Sequence, residues 1–148
     1  MIRNLQETDV ETVANIWLAA NREAHDFIPA QYWQEHFACV KGMLAQAEVY
    51  VHEDGGKIQG FVGLQDAYIA GIFVSNEFRS KGIGKRFIDF IKGRKDRLCL
   101  QVYQRNARAI RFYQREGFRI QNEGMDEHTG EKDYTMVWER KREPESLE

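Results

Sequence analysis

Apolar residues recur along the chain with two periods, one typical of helices and one typical of strands. Spacing of three or four residues predicts a first amphipathic helix over about 9–23, where Thr8-Asp9-Val10-Glu11 has the spacing of a capping box. A second helix is predicted to begin after Pro29. Its apolar face carries Trp33, Phe37, Val40 and Leu44.

Strand-like segments follow the two predicted helices. Residues 49–52 and 58–64 flank a turn with Gly55 and Gly56, which predicts an antiparallel hairpin. Residues 68–75 are continuously apolar, and such a run is typical of a strand covered on both faces. The third strand is therefore predicted to be interior.

A helical period begins again at Gly82 and ends near Gly93, before strand character resumes at 98–103. A strand, a helix and a second strand in about 35 residues predict a crossover between parallel strands of one sheet. Asn106 is placed to cap the next helix and Gly117 to end it. Two further strands are predicted near 118–121 and 134–138.

Length and composition limit the class of protein. The chain has 148 residues, of which 43% are hydrophobic and 30% charged. These values fit one compact domain, predicted over 1–140 with a loose tail at 141–148, and exclude collagen-like and largely disordered classes. No apolar run approaches the ~20 residues that cross a bilayer, and the N-terminus lacks a signal-peptide core, so we expect a cytoplasmic protein with no membrane partner. Cys39 and Cys99 form no CxxC pair, which predicts two small buried residues rather than a disulfide framework or a zinc site.

Charge is distributed unevenly, although the formal net charge is only -2. The stretch 79–119 holds 13 of the 21 Lys and Arg residues against three acids, a net charge of +10, and the remainder carries -12. One region therefore favours an anion and the other a cation. The aromatic residues of the basic stretch are spaced like a helix core rather than an exposed stacking row, so we expect no nucleic acid partner. They are Phe87, Phe90, Phe112 and Tyr113.

A candidate anion site lies at 79–85, between the predicted third strand and the helix that follows it. Free backbone N–H groups and the helix dipole favour an anion there, and Gly82 and Gly84 allow phosphate to approach the backbone closely. A P-loop would need a glycine at position 79, and a dinucleotide fingerprint would need a small residue at position 87. The chain has Arg79 and Phe87 instead, so neither motif is present.

The loop resembles the acyl-coenzyme-A signature R/Q-x-x-G-x-G/A of the GNAT superfamily of N-acetyltransferases, which Arg79, Gly82 and Gly84 match. The family's other hallmark is an Asn that opens a helix whose Tyr faces the thioester, and Asn106 and Tyr113 match it. The resemblance covers nearly the whole chain. It is closest to small bacterial members that act on protein or peptide amines.

The resemblance implies an α/β (α+β) fold with a mixed, mostly antiparallel sheet of about six to seven strands, a central splayed parallel pair and about four flanking helices. It also implies direct attack of a primary amine on acetyl-coenzyme A in a ternary complex, with no acyl-enzyme and no metal. The acidic remainder of the chain suits a cationic acceptor, such as a protein lysine or an N-terminal amine. The alternatives are a small-molecule amine, such as a polyamine or an antibiotic, and a non-catalytic acyl-coenzyme-A-binding module. The protein is expected to be a monomer or a homodimer.

The resemblance also implies roles for residues of the candidate site. Backbone groups of Phe73 and Val74 are expected to contact the acetyl carbonyl and the pantetheine arm. Asn106 is also expected to bind the pantetheine arm. Tyr113 is expected to give its proton to the leaving thiolate. Seven loop residues are expected to bind the coenzyme's pyrophosphate: Arg79, Ser80, Lys81, Gly82, Ile83, Gly84 and Lys85.

The sequence leaves open which group deprotonates the acceptor amine. An alkyl ammonium has a pKa of about 10.4, so a base or water must remove its proton at pH 7. His25 titrates near neutrality, and Asp66 and Tyr68 precede the strand that borders the thioester. These three residues are candidates for the base or for contacts with the acceptor. The other histidines have no metal-ligand spacing and are expected to have surface or packing roles: His36, His52 and His128.

Overall fold

The computed structural model describes residues 1–141, which form a seven-stranded sheet with four α-helices and two 3-10 turns. The elements are β1 (Ile2–Asn4), α1 (Val10–Ala24), α2 (Ala30–Leu44), β2 (Glu48–Asp54), β3 (Lys57–Gln65), β4 (Tyr68–Val74), α3 (Ile83–Lys92), β5 (Arg97–Tyr103), α4 (Ala107–Arg115), β6 (Arg119–Met125) and β7 (Lys132–Glu139), with 3-10 turns at Glu7–Asp9 and Asn76–Phe78. The predicted loose tail lies outside the described residues, apart from Lys141.

The strand order is β1-β2-β3-β4-β5-β7-β6, and among these pairs only β4 and β5 are parallel. The predicted fold class, a mostly antiparallel sheet with one parallel pair and four helices, is confirmed. The predicted hairpin is β2–β3, and the predicted crossover between parallel strands is β4–α3–β5.

The parallel pair β4–β5 opens almost as soon as it begins. Tyr68 lies opposite Cys99, and the amide of Cys99 donates to the carbonyl of Ala67 at 2.9 Å. This is the only register pair that joins the two strands in the described chain, because they separate towards their carboxyl ends. The paired strand β3 carries one residue fewer than β4 here, which leaves Ala70 as a bulge. The result is a gap in the middle of the sheet.

Each face of the sheet has its own core. On one face, Phe87 and Ile91 of α3 are completely buried against strand residues such as Leu100. On the other face, Val13 of α1 is completely buried and packs with Phe61 of β3. Side chains alternate between these faces along each strand, so within a stretch that has no bulge, parity assigns a strand residue to the α3 face or the α1 face.

The capping box predicted at Thr8 is wrong, because the capping contact lies two residues earlier, between Gln6 and Asp9. A 3-10 turn precedes α1, and the carboxylate of Asp9 accepts a hydrogen bond from the amide of Gln6 at 2.8 Å. The same carboxylate pairs with Arg3 at 2.7 Å. Arg3 of β1 therefore fixes Asp9 at the helix start, a contact between two elements that helix spacing alone does not reveal.

Two predictions about burial are also wrong. In β4 only Ile69 is buried, and the carboxyl half of the strand is half-exposed because it borders the gap. Cys39 is exposed on α2, and Cys99 is only half-buried beside Tyr68. Neither thiol is a fully buried core residue.

Candidate active site

A cleft of about 920 Å³ occupies the gap between β4 and β5. Four parts of the chain line it: the end of α1, the carboxyl half of β4, the loop that leads into α3, and α4. Of the residues predicted for the site, eleven line this cleft: His25, Phe73, Val74, Arg79, Ser80, Gly82, Ile83, Gly84, Lys85, Asn106 and Tyr113. The structure therefore brings together residues that lie far apart in the sequence.

Backbone donors form one end of the cleft. Gly82 precedes α3 at φ +81°, a left-handed conformation that favours glycine, and the carbonyl of Gly82 accepts the first helical bond from Arg86. Ile83, Gly84 and Lys85 come before Arg86 in the chain, and their amides have no backbone acceptor within residues 1–141. With the helix dipole, these donors make a site for an anion such as phosphate.

The structure gives Gly84 a second reason, besides the close approach of phosphate that the sequence suggested. A Cβ atom at this position would lie 3.1 Å from Cζ of Phe112, closer than ordinary contact. Phe112 belongs to α4, so the missing side chain lets α3 and α4 approach each other under the cleft. Gly84 therefore serves helix packing in addition to offering its free amide at the anion site.

Basic side chains surround the anion end of the cleft. Arg79 pairs with Glu23 of α1 at 2.9 Å, and Lys85 lies 3.4 Å from Glu116. The five basic residues that line the cleft outnumber its two carboxylates, so the cleft favours an anion. They are Arg79, Lys85, Arg105, Arg108 and Arg115.

Tyr113 of α4 also lines the cleft and is only 7% exposed. Its ring packs against Phe112 and Phe118, with centroids 5.1 and 5.5 Å away. Burial raises the pKa of its phenol well above the ordinary value, and the nearby Tyr68 raises it further. The hydroxyl has no hydrogen-bond partner among the described residues, so it is a protonated donor free to act in the cleft.

Asn106 and His25 link α4 to α1 across the cleft. Oδ1 of Asn106 accepts from the amide of Ala109 at 3.2 Å, which confirms the predicted cap, and Nδ2 of Asn106 lies 3.2 Å from Nε2 of His25. Nδ1 of His25 lies 3.1 Å from Oδ1 of Asn21, whose own Nδ2 donates to Trp17. The amide of Asn106 must donate, so His25 carries its proton on Nδ1.

His25 is therefore held as a neutral ring. Burial lowers its pKa to about 4, because α1, Trp33 and Tyr103 surround it. Its Nε2 lone pair already accepts a hydrogen bond from Asn106. At neutral pH this histidine is poorly suited to take a proton from an amine, and its contacts are those of a positioning residue.

Three predicted residues lie outside the cleft lining. Asp66 is exposed in the turn before β4, at φ +53°, and Lys81 is exposed with its ammonium 5.7 Å from the ring of Phe78. Tyr68 is half-buried, and its hydroxyl donates to Oε1 of Gln101 at 3.3 Å. Burial raises the pKa of Tyr68, so its phenol also stays protonated at neutral pH.

The sequence analysis missed Asn21 and Glu23. Asn21 is 4% exposed and lies one helical turn before His25, and this four-residue spacing is the only sequence signal that joins the pair. Glu23 holds Arg79 across 56 residues, which no local pattern indicates. Both residues line the cleft.

Residues 1–141 contain neither a metal-binding cluster nor a membrane-spanning helix. No three or more His, Cys, Asp or Glu side chains are grouped so that they could hold a metal ion. None of the described helices is long and apolar enough to cross a membrane.

Comparison with known proteins places these features in a wider group. The profile of the Acetyltransferase (GNAT) domain matches residues 45–120. Peptidyl-lysine N-acetyltransferase YiaC of Escherichia coli is 34% identical over 140 residues, which cover 93% of this chain and 96% of YiaC. Among solved structures, apo YjaB from Escherichia coli has a TM-score of 0.83 at 22% identity, covering 93% of this chain and 95% of YjaB. PaiA N-acetyltransferase from Thermoplasma acidophilum, solved in complex with coenzyme A, has a TM-score of 0.79 at 18% identity, covering 94% and 98%.

Proposed function

Because this chain belongs to the GNAT acetyltransferase family, we propose that it acetylates the side-chain amine of lysine residues in proteins or peptides. The family establishes N-acetyl transfer as the reaction. The acceptor is inferred from two Escherichia coli relatives, YiaC and YjaB, which are both named peptidyl-lysine N-acetyltransferases. One observation carries the proposal: a single cleft joins free backbone donors at α3 to the free hydroxyl of Tyr113.

The cleft fits acetyl-coenzyme A in both charge and shape. The amides of Ile83, Gly84 and Lys85 suit the diphosphate, and the surrounding cations compensate its charge. Strand β4 turns its unpaired edge towards the gap, where Phe73 and Val74 offer backbone groups to the pantetheine arm. Acetyl-coenzyme A supplies the acetyl group as a thioester, which a neutral amine can attack directly with release of the thiol.

We assign to Tyr113 the stabilisation of the leaving thiolate. Its hydroxyl stays protonated because burial raises its pKa, so it can donate a hydrogen bond as negative charge develops on sulfur. Complete transfer of the proton from a phenol to a thiolate is uphill even for ordinary pKa values of about 10 and 8.5. The raised pKa of Tyr113 makes the hydrogen bond, rather than complete transfer, its main contribution.

We assign to His25 and Asn106 the positioning of the cleft rather than proton transfer. Their side chains hold the start of α4 against the end of α1, and α4 carries Tyr113. Because His25 is neutral with its acceptor nitrogen occupied, the acceptor's proton is left to water. Asp66 lies in the exposed turn outside the cleft, so we give it no part in the reaction.

A panel of amines tests the proposed acceptor. Purified protein and acetyl-coenzyme A are mixed with a lysine peptide blocked at its N-terminus, a peptide with a free N-terminus but no lysine, and spermidine. We expect thiol release and a mass increase of one acetyl group with the lysine peptide. Turnover of spermidine alone would overturn the lysine proposal, and absence of thiol release with every amine would favour a binding module.

A cytoplasmic location and a monomeric or homodimeric state stay predictions.

A further inference from the structure

Polar and aromatic side chains of neighbouring strands lie together on the α1 face of the sheet, opposite α3. We call this surface the acceptor groove. Leu100 and Met136 pack on the α3 face, so the odd-numbered neighbours on their strands turn to the opposite face. This parity places Gln101 and Tyr103 of β5 and Asp133 of β7 in the groove. Tyr68 of β4 lies on the same face because its neighbour Ile69 packs on the α3 face.

Asp133 is the most unusual of these residues because it is an acidic residue with little exposed surface and no described partner. The residue is 6% exposed, and its side-chain oxygens have no hydrogen-bond or ion-pair partner within residues 1–141. Gly124 lies directly opposite on β6, and one carboxylate oxygen of Asp133 lies 2.9 Å from the position that a Cβ of Gly124 would take. Burial raises its pKa, and the charge of Asp126 raises it further. The carboxylate oxygens are not among the fully buried polar atoms that lack a partner, so they keep contact with solvent and a ligand can reach them.

Aromatic rings form the wall of the acceptor groove. Tyr103 lies 5.7 Å from Phe27 between ring centroids, and its hydroxyl donates to Asp126 at 2.6 Å. Tyr32 of α2 lies close enough for the charge of Asp126 to raise its pKa. Gln101 on β5 is exposed, so the acceptor groove borders solvent. Aromatic faces beside a carboxylate suit an alkyl chain that ends in a cation.

Tyr68 connects the acceptor groove to the cleft. Its phenol is close enough to Tyr113 to raise the pKa of that residue, and the charges of Asp133 and Asp126 raise its own. Tyr68 also sits at the last point where β4 and β5 pair, which is the base of the gap. A side chain that enters from the groove therefore reaches the gap where Tyr113 lies.

We propose that Asp133 binds the ammonium group of the acceptor lysine in the acceptor groove and thereby selects cationic amines. The inference rests on the proposed function and adds a specificity-determining residue to it. Asp126 is bound by Tyr103 and by the amide of His128, so it contributes charge while Asp133 is free to contact the ligand. The carboxylate gains the partner that the protein alone does not provide.

Binding, rather than deprotonation, is the role that the chemistry allows. A carboxyl group with an ordinary pKa of about 3.9 is a weak base towards an ammonium with a pKa of about 10.4. Asp133 therefore holds the ammonium in the ground state. Loss of the carboxylate is expected to raise the KM for the acceptor more than it lowers kcat.

The test is Asp133→Asn, which keeps the shape of the side chain and removes its charge. We expect the KM for a lysine peptide to rise on the order of tenfold, with the KM for acetyl-coenzyme A unchanged. The melting temperature should stay the same or rise, because a charge without a partner is gone. Glu127→Gln is the matched control: it removes an exposed carboxylate from the same region and should leave both KM values unchanged.

An unchanged KM for the peptide in Asp133→Asn would overturn the inference, and so would an equal rise in the Glu127→Gln control. A lower melting temperature with both KM values raised would assign Asp133 to structure instead. The proposed function fails separately, if the wild-type protein acetylates no lysine peptide. The groove is then tested by calorimetry with the same blocked lysine peptide and coenzyme A, where weaker binding to Asp133→Asn supports it and equal binding refutes it.

Discussion

Burial sets the chemistry of the two titratable side chains that meet at the cleft. Tyr113 is enclosed by aromatic rings, which keep its phenol protonated, and His25 is enclosed by Trp33 and Tyr103, which keep its imidazole neutral. Both residues are therefore uncharged at neutral pH. One is left with a free donor, and the other has both ring nitrogens engaged.

Replacement of the phenol tests the first of these roles. Tyr113→Phe should lower kcat by about a hundredfold, within the range for loss of a positioned proton donor, while the affinity for acetyl-coenzyme A stays within about twofold. The melting temperature should not fall, because no described residue is bonded to the hydroxyl. Tyr134→Phe is the control, a half-buried tyrosine of the same core that does not line the cleft. Equal kcat in the Tyr113→Phe and wild-type proteins would contradict the role.

His25 gives a prediction about pH. Its pKa falls from an ordinary 6.5 to about 4 in the fold, so folding favours the neutral ring. This contribution to stability is complete above pH 6.5 and is lost as the pH falls towards 4, because the unfolded chain takes up the proton first. The melting temperature of wild-type protein should therefore fall over this window, and His25→Phe, which keeps a ring but loses both hydrogen bonds, should reduce that dependence.

The same variant separates a positioning role from a base. If His25 only positions α4, His25→Phe keeps any limb of the pH–rate profile between pH 5 and 8 and raises the KM for acetyl-coenzyme A. Disappearance of that limb in the variant would show that His25 titrates during turnover, against the contacts described above.

Two helices meet beneath the cleft, and their separation is set by one missing side chain. Gly84 of α3 faces Phe112 of α4 so closely that a methyl group would already be crowded. The helix start that offers backbone donors and the helix that carries Tyr113 are thus held at a fixed distance. Sequence motifs locate the two helices, and their contact decides whether the donors and the hydroxyl share one cleft.

Gly84→Val should therefore lower stability as well as coenzyme affinity. Overpacking of this kind costs roughly 1–3 kcal/mol, and it should push α3 away from α4. Thermal unfolding and calorimetry with coenzyme A measure the two effects. The double variant Gly84→Val/Phe112→Leu should recover much of both losses, because the smaller side chain relieves the crowding. Failure of the second substitution to restore either quantity would refute helix packing as the reason for this glycine.

At the scale of the whole molecule, basic and acidic residues lie on two different sides of the gap. All five basic residues that line the cleft come from the stretch 79–119. Asp126 and Asp133, which lie at the acceptor groove, come from the acidic remainder. An anionic coenzyme and a cationic acceptor are thus attracted to different sides of one sheet.

The open gap gives a prediction for hydrogen exchange. The edge of β4 that faces the gap has lost its pairing with β5, so acetyl-coenzyme A should slow exchange in 71–74 and in the loop 80–85. Strand β2, which is paired on both sides, should show no change and serves as the internal control. Mass spectrometry of proteolytic fragments measures all three segments. Equal protection of β2 and the gap would indicate a general stabilisation instead of binding in the cleft.

The sequence by itself determined the elements and the residues whose signal is local. The Arg79–Gly84 motif, the cap at Asn106 and the tyrosine at position 113 lie within single turns or helices, where spacing fixes geometry. It also predicted the parallel pair, because a crossover helix joins β4 to β5. These features depend on neighbours in the chain.

Tertiary structure alone decided which distant groups meet and which of them titrate. His25 and Asn106 are 81 residues apart, and nothing in either segment indicates the hydrogen bond that joins them. The pKa of His25 and the isolation of Asp133 depend on burial by other elements, which no local pattern contains. Burial arises only when the sheet and helices assemble, and for that reason the proposed acceptor contact became visible in the fold and not in the chain.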